Sequence, residues 1–194
     1  MITAHANPAP TEAPILDVLA ERWSTRVYDA DAPLDESALQ SALEAARWTP
    51  SANNTQPWRF IVARRGTPEF ETVHTALRGF NQSWTAAASA LVVFVAETET
   101  EDGKPLRMAA YDLGQAAAHF TVQAHASGLH THQMGGFDGQ AIADAFGLDS
   151  RFVPMTVMSV GSLGDINQVD EDVRERELAP RSRHSVSDLV LVGA

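Results

Sequence analysis

The sequence predicts an α+β fold, a single domain in which helices cover both faces of a largely antiparallel sheet. Three observations carry that expectation. Residues 90–96, Ala-Leu-Val-Val-Phe-Val-Ala, are continuously apolar, as a strand must be when it is buried on both faces. Residues 34–48 and 105–127 repeat their apolar side chains at helical spacing. Helices and strands are mixed without strict β-α-β alternation, and no internal repeat is present. A chain of 194 residues suits one domain of ordinary size, here residues 14–194 behind a flexible lead of residues 1–13.

Taken in order, residues 14–23 read as a helix, with Ile15, Leu19 and Trp23 along one side and Pro14 suited to the first turn. Residues 34–48 form a second, opened by Asp35 as a cap, burying Leu39, Ala42, Leu43 and Ala46, and stopped by Pro50. Residues 58–63 follow as a strand, with Arg64-Arg65-Gly66 as its turn. Thr67-Pro68 has the cap-then-proline form of a helix start, and that helix runs to Leu77 or Arg78 before Gly79. Residues 84–89 allow one or two helical turns ahead of the apolar strand. An acidic loop at 97–104 leads into the alanine-rich helix of 105–127, with Leu113, Ala117, Phe120 and Ala124 on one side and Gly128 placed to end it. Its small side chains suit a close-packed interface with a second copy and a buried core helix equally well. Residues 129–134 read as a short extended piece, and Asp138 as the cap of a helix ending near Gly147. Residues 152–161 make a strand whose Pro154 belongs near its start. Residues 165–177 read as a charged connection and 186–192 as a last short strand.

Composition excludes several classes of function. A formal net charge of −11 leaves no basic face for nucleic acid or an anionic membrane. The absence of cysteine removes disulfides, thiolate catalysis and sulfur-ligated metals. Nothing approaches the ~20 apolar residues of a membrane span, and the N-terminus lacks the basic start and apolar run of a secretion signal. The expectation is a soluble, cytoplasmic protein. His119, His125, His130 and His132 crowd one region but contain no helical i, i+4 pair, so no metal site is expected. Residues 165–170 lack an oxygen ligand and the glycine of a calcium loop. Basic residues are few, and all but Lys104 are arginine. Singly, Arg22, Arg26, Arg181 and Arg183 read as surface ion-pair partners. If the fold joins the two ends of the chain, they make an anion site.

The densest polar stretch is Pro50-Ser51-Ala52-Asn53-Asn54-Thr55-Gln56-Pro57-Trp58. Each proline pushes its preceding residue out of the helical region, so Thr49 and Gln56 are expected to be extended and the loop stiff. Asn and Gln each present a donor and an acceptor, the equipment for reading the edge of a planar heterocycle. By composition alone the stretch is also an ordinary Asn/Ser/Pro turn between a helix and a strand. It resembles the Pro-Ser-x-x-Asn-x-Gln-Pro-Trp signature of the FMN-dependent nitroreductase family. Arg22-Trp23-Ser24-Thr25-Arg26 resembles that family's N-terminal flavin-binding segment. Gly79-Phe80-Asn81, Leu91-Val92-Val93-Phe94, Gly135-Gly136-Phe137-Asp138 and Arg181-Ser182-Arg183 follow in the family's order, and the resemblance covers roughly residues 14–191.

That resemblance implies a three-layer α/β/α sandwich and an obligate homodimer with flavin sites at its interface. The segment after Glu177 would wrap the partner and supply its last strand. FMN is the implied cofactor, NADH or NADPH the implied reductant. Arg22, Ser24, Arg181 and Arg183 would surround the phosphate and nearby ribityl hydroxyls, with Trp23 in the same segment. Ser51, Asn54 and Asn81 would stand by the ring, Gln56 at or just behind its edge, and Arg26 at N1 and O2. Met134, Gly135 and Gly136 would bring the backbone close, so that the main chain at Gly135 meets N5. Trp48, Trp84 and Phe137 would be aromatic surfaces of the substrate pocket, although core packing competes for at least one. Trp84 stands where some relatives carry a lysine, and Gly135 where some carry an acid. No side chain is expected to act as a catalytic group. Hydride would pass through flavin N5 to a nitroaromatic, quinone or enone in a ping-pong mechanism. An oxygen-using enzyme of the same fold and a flavin storage or sensor protein without turnover stay open beside it.

Overall fold

The computed structural model describes residues 6–193. Four strands, β1 (Trp58–Arg64), β2 (Ala90–Glu97), β3 (His130–Met134) and β4 (Phe152–Gly161), form one sheet in the order β1-β2-β4-β3, antiparallel throughout. The apolar run is β2, central and buried along its whole length. In chain order the helices are α1 (Asp17–Glu21), α2 (Glu36–Arg47), α3 (Pro68–Ala76), α4 (Asn81–Thr85), α5 (Ala109–Ala126), α6 (Gly139–Ala145), α7 (Glu171–Leu178) and α8 (Val186–Leu189).

Because successive strand residues face opposite sides, β2 serves two cores at once. Val92 and Phe94 join Leu39 and Ala42 of α2 and Leu113 and Phe120 of α5 on one face. Leu91, Val93 and Val95 join Phe70 and Val73 of α3 and Ile142 of α6 on the other. The Phe94 ring meets Phe60 and Phe120 edge-on at 5.2 and 5.5 Å. This is the three-layer sandwich the sequence implied. Pro154 sits beside an irregularity between Phe94 and Val95, where its missing N–H falls at a break already present in the ladder. The predicted caps also form: the side chains of Asp35, Thr67 and Asp138 accept from Ala38, Phe70 and Ala141 N–H at 2.9, 3.3 and 3.0 Å.

Several elements differ from their sequence reading. The charged connection at 165–177 holds a 3₁₀ turn, Ile166–Gln168, and most of α7. With only Val173 and Glu177 turned inward, α7 shows almost no apolar period. Residues 186–192 form no strand in this chain. Ser185 and Asp188 instead make a reciprocal capping box that opens α8, and Leu191 and Val192 follow it into solvent. The long helix starts at Ala109, because residues 98–106 fold back on themselves through Leu106 N–H to Thr98 O and a Glu99–Pro105 bridge.

The two ends of the chain converge beside β3. Residues 22–29 run as an extended strap, bridging Thr131 from Ser24 and Leu163 from Tyr28. The Ala9 N–H donates to Ala20 O at 2.8 Å, and Asn7 Nδ2 donates to Glu177 O at 3.2 Å. Gly164 is what lets the strap lie flat, since a Cβ there would stand 2.5 Å from Tyr28 O and 2.6 Å from its carbonyl carbon. Gly164→Ala is therefore expected to destabilise the fold by about 1–3 kcal/mol, the usual cost of overpacking. A urea unfolding midpoint equal to that of the native protein would contradict this account of the strap.

Candidate functional site

The strap carries Arg22 to Arg26, and a buried carboxylate from α7 fixes it. Trp23 Nε1 and Thr25 Oγ1 each donate to Glu177 Oε1 at 2.6 Å, and Arg26 N–H donates to Glu177 Oε2 at 2.8 Å. From the C-terminal side, Arg181 Nη1 donates to Asn7 O and Ala20 O at 2.7 and 3.0 Å. Arg22, Arg26, Arg176, Arg181 and Arg183 thereby line one cavity of about 390 Å³, with Trp23, Ser24 and Glu177. The lead passes over a second cavity of about 600 Å³, which shares Arg22, Arg181 and Arg183 with the first.

Electrostatics leave this cavity with excess positive charge. Burial first, then the charges of Arg181 and Arg183, pull the Arg22 pKa below its ordinary value; burial and Arg183 do the same to Arg181. Burial likewise lowers Arg26, with Glu177 opposing and Arg176 adding to the shift. Arg22 Nε is buried with no hydrogen-bond partner among the described residues. A buried guanidinium N–H without an acceptor is costly, and a bound anion would relieve both that cost and the mutual repulsion.

A second group adjoins the first through Arg176, whose guanidinium lies 4.4 Å over the Phe80 ring. Next to Phe80, Asn81 Nδ2 donates to Gly136 O at 3.3 Å, and Arg78 N–H donates to the same oxygen at 2.9 Å. Any Cβ at Gly136 would press on Asn81 Nδ2 at 3.0 Å, whereas Gly135 has open space. Met134 ends β3 just before them and is buried.

The loop at 50–57 lies elsewhere. It is pinned to α5, where Ala52 N–H donates to Asp112 Oδ2 at 3.0 Å and Thr49 Oγ1 pairs with His119 Nδ1 at 2.9 Å. Gln56 is not extended, contrary to the expectation from Pro57: Asn53, Asn54 and Gln56 all have positive φ, at 53°, 55° and 48°. Short polar contacts hold that conformation, with Gln56 N–H to Ser51 Oγ at 3.0 Å and Gln56 Nε2 to Asn54 O at 3.2 Å. This loop leads into β1 at one edge of the sheet, and the arginine strap follows β3 at the other. Ser51, Asn54 and Gln56 line neither arginine cavity.

The three aromatic candidates separate as well. Trp84, expected in the substrate pocket, is 4% exposed and sits in the core, stacked on Tyr28 at 6.2 Å and tilted on His132 at 4.8 Å. The pocket expectation for it is corrected by that packing. Trp48 is 72% exposed with Arg47 stacked on it, and Phe137 is half-buried against the second core. Sequence reasoning missed Glu177, Arg176 and Asp112, and weighed His132 only as a metal ligand, not for its packing against Trp84 and its contact with Thr25. Glu177 meets partners more than 150 positions away, a distance at which no local pattern operates. Among the described residues no cluster of three or more potential metal ligands occurs, and no helix is long and apolar enough to cross a membrane.

Comparison with known proteins gives this geometry a family. The family model described as Nitroreductase family matches residues 19–162, and the chain belongs to that family. A 15.4 kDa protein from the ask 5′ region of Mycolicibacterium smegmatis is 38% identical, over 70% of this chain and 95% of its own. An oxygen-insensitive NAD(P)H nitroreductase of Enterobacter cloacae is 26% identical, over 91% of this chain and 98% of its own. A solved structure described as an oxidoreductase containing FMN superposes with a TM-score of 0.89 at 30% identity, covering 99% of this chain and 98% of that one.

Behind the strap, His132 Nδ1 donates to Thr25 O at 3.0 Å, a contact that by itself favours the charged ring. Burial first, and Arg26 second, push its pKa from 6.5 down to about 4. Above pH 6.5 both folded and unfolded chains carry it neutral, and its contribution is intact. Between about 6.5 and 4 the unfolded chain takes the proton first, so stability falls as pH falls. His132→Asn keeps a donor for Thr25 O and removes the titration. It is expected to lose about 2 kcal/mol less than the native protein between about pH 7.5 and pH 5. Equal losses in urea titrations of the two proteins would remove His132 as the acid-sensitive group.

Proposed function

We propose that the protein is an FMN-dependent oxidoreductase that uses NADH or NADPH to reduce a nitroaromatic, quinone or enone. The observation that carries this reading is the cavity lined by five guanidiniums, with buried Arg22 Nε lacking an acceptor, on a chain of net charge −11. A phosphate dianion meets the needs of that donor set: forked N–H pairs, like charges to neutralise, and one orphan donor. The structural relative, described as containing FMN, and the named NAD(P)H nitroreductase support the same cofactor and reductant. When bound, FMN supplies the hydride relay between nicotinamide and acceptor, each using the same face in turn.

The protein's residues do the rest by holding and charging. Arg22, Arg181 and Arg183 hold the phosphate, and Ser24 serves the ribityl chain. Arg26 stands at the ring edge where negative charge gathers on reduction, and a cation there favours the reduced form. Asn81 and the backbone at Gly135 and Gly136 would lie beside the ring, with open space at Gly135 for close approach. Ser51, Asn54 and Gln56 line neither arginine cavity of their own chain. We therefore assign them to the site of a second copy in a homodimer. Exposed Ile15, Leu16, Leu19, Trp48 and Tyr111 supply apolar surface for that contact, and the exposed tail at Leu191 and Val192 reaches towards the partner.

Arg183→Ala is expected to weaken FMN by roughly 1.5–3 kcal/mol, about tenfold to a hundredfold, and leave riboflavin affinity unchanged because riboflavin lacks the phosphate. Equal losses for both flavins, or none, would remove Arg183 from the phosphate site. Light scattering on FMN-loaded protein at micromolar concentration is expected to give a dimer, and a loaded monomer would overturn the shared site. Anaerobic NADH or NADPH should bleach the flavin absorbance, which a storage protein without turnover would not allow.

A further inference from the structure

We propose that Glu177 is the positioning residue for Arg26, fixing where the ring-edge cation of the site stands; the proposal rests on the flavin reading given above. Three donors from residues 23, 25 and 26 converge on its carboxylate at 2.6, 2.6 and 2.8 Å. Glu177 is 2% exposed, and a carboxylate buried to that depth is held only by such donors. Two of the three come from side chains, and the third is the N–H of Arg26 itself. The Arg26 guanidinium makes no ion pair within 4 Å among the described residues, and Glu177 acts on it twice, by holding the Arg26 N–H and by attracting its charge.

The placement of Glu177 on α7 adds a second link. Arg176 precedes it and lines the same cavity, and Arg181 follows one turn after α7 ends. Its own carbonyl accepts from Asn7 Nδ2 at 3.2 Å, beside the carbonyl of Asn7 that Arg181 holds. Glu177 thus registers the strap against the C-terminal arginines, so that ring-edge and phosphate cations keep a fixed spacing. A longer or shorter side chain at 177 would shift one set against the other.

The test is a double-mutant cycle read as the ratio of affinities for reduced and oxidised FMN, obtained from the flavin midpoint potential of the loaded dimer. In the native background Arg26→Gln is expected to lower that ratio about tenfold, a fall of about 30 mV for a two-electron couple. In the Glu177→Gln background the same change is expected to lower it threefold or less, because Arg26 has already lost its position. A tenfold effect in both backgrounds would leave Glu177 a stabilising residue only and overturn the proposal, even with a lowered Tm. No effect of Arg26→Gln in the native protein would overturn it too. If Glu177→Gln does not fold, Trp23→Phe removes one donor while keeping the ring, and an undiminished Arg26→Gln effect there overturns the proposal. Failure of the native protein to bind FMN at all would overturn the flavin reading and this proposal with it.

Discussion

Five like charges around one cavity repel one another, and the fold must hold them there against that repulsion. On an acidic chain, arginines are otherwise free to pair on the surface, as Arg47 does with Glu44 and Arg64 with Glu36. Those exposed pairs are worth little each. The clustered arginines are held otherwise: Arg181 by the neutral carbonyls of Asn7 and Ala20, and the Arg22–Arg26 strap by hydrogen bonds from Trp23, Thr25 and the Arg26 N–H to the single carboxylate of Glu177. Carbonyl struts fix a guanidinium without cancelling its charge. Five guanidiniums against the one carboxylate of Glu177 leave the cavity positive, whereas one-to-one ion pairing would have neutralised it.

The scaffold behind this arrangement is β2. Its two faces bind the α2/α5 layer and the α3/α6 layer into one body, and β4 carries that rigidity across to β3. The strap then needs only two bridges, at Ser24 and Tyr28, to be registered against the sheet. Gly164 permits the second of them. Glu97, buried at the end of β2 and paired with Arg59 and Arg151, ties the opposite end of the sheet together near the start of β1. That pair of arginines serves the fold, which shows why the number of arginines in a sequence does not locate a site.

The elements legible in the sequence were those whose signal is local. The apolar run of β2, the caps of Asp35, Thr67 and Asp138 and the proline at the start of β4 act through their near neighbours, and each appears where it was read. Signals that depend on distant partners were not legible. Helix α7 is amphipathic only towards the strap, through Val173 and Glu177, so its sequence reads as solvated charge. Trp84 occupies a position where an aromatic facing a pocket and one facing the core look alike, and Tyr28 and His132 decide for the core. Residues 186–192 have strand-like composition, yet a strand needs an edge to pair with. In the single chain the capping box of Ser185 and Asp188 is the stronger local instruction. At Gln56 the rule for residues before proline yields to a positive φ held by Ser51 and Asn54.

The loop at 50–57 makes a separate demand on any account of the site. Three consecutive-region residues without glycine at positive φ cost free energy, and α5 spends a buried carboxylate, Asp112, to hold the turn that carries them. Strain of that kind persists where the surrounding structure gains from it. Asn53 and Asn54 are exposed, and among the described residues their side chains have no hydrogen-bond partner that would explain the strain. Two-fold symmetry resolves the puzzle for the proposed homodimer. In an isologous contact, if the loop at the β1 edge of one protomer reaches the cationic cavity at the β3 edge of the other, the reverse pair forms too, so the two would meet as equivalent pairs. In the proposed homodimer each site would take its charge from one chain and its amide donors and acceptors from the other. The strained loop is already held by α5 within the single chain, so a partner would meet it pre-organised and little of its ordering cost would fall at association.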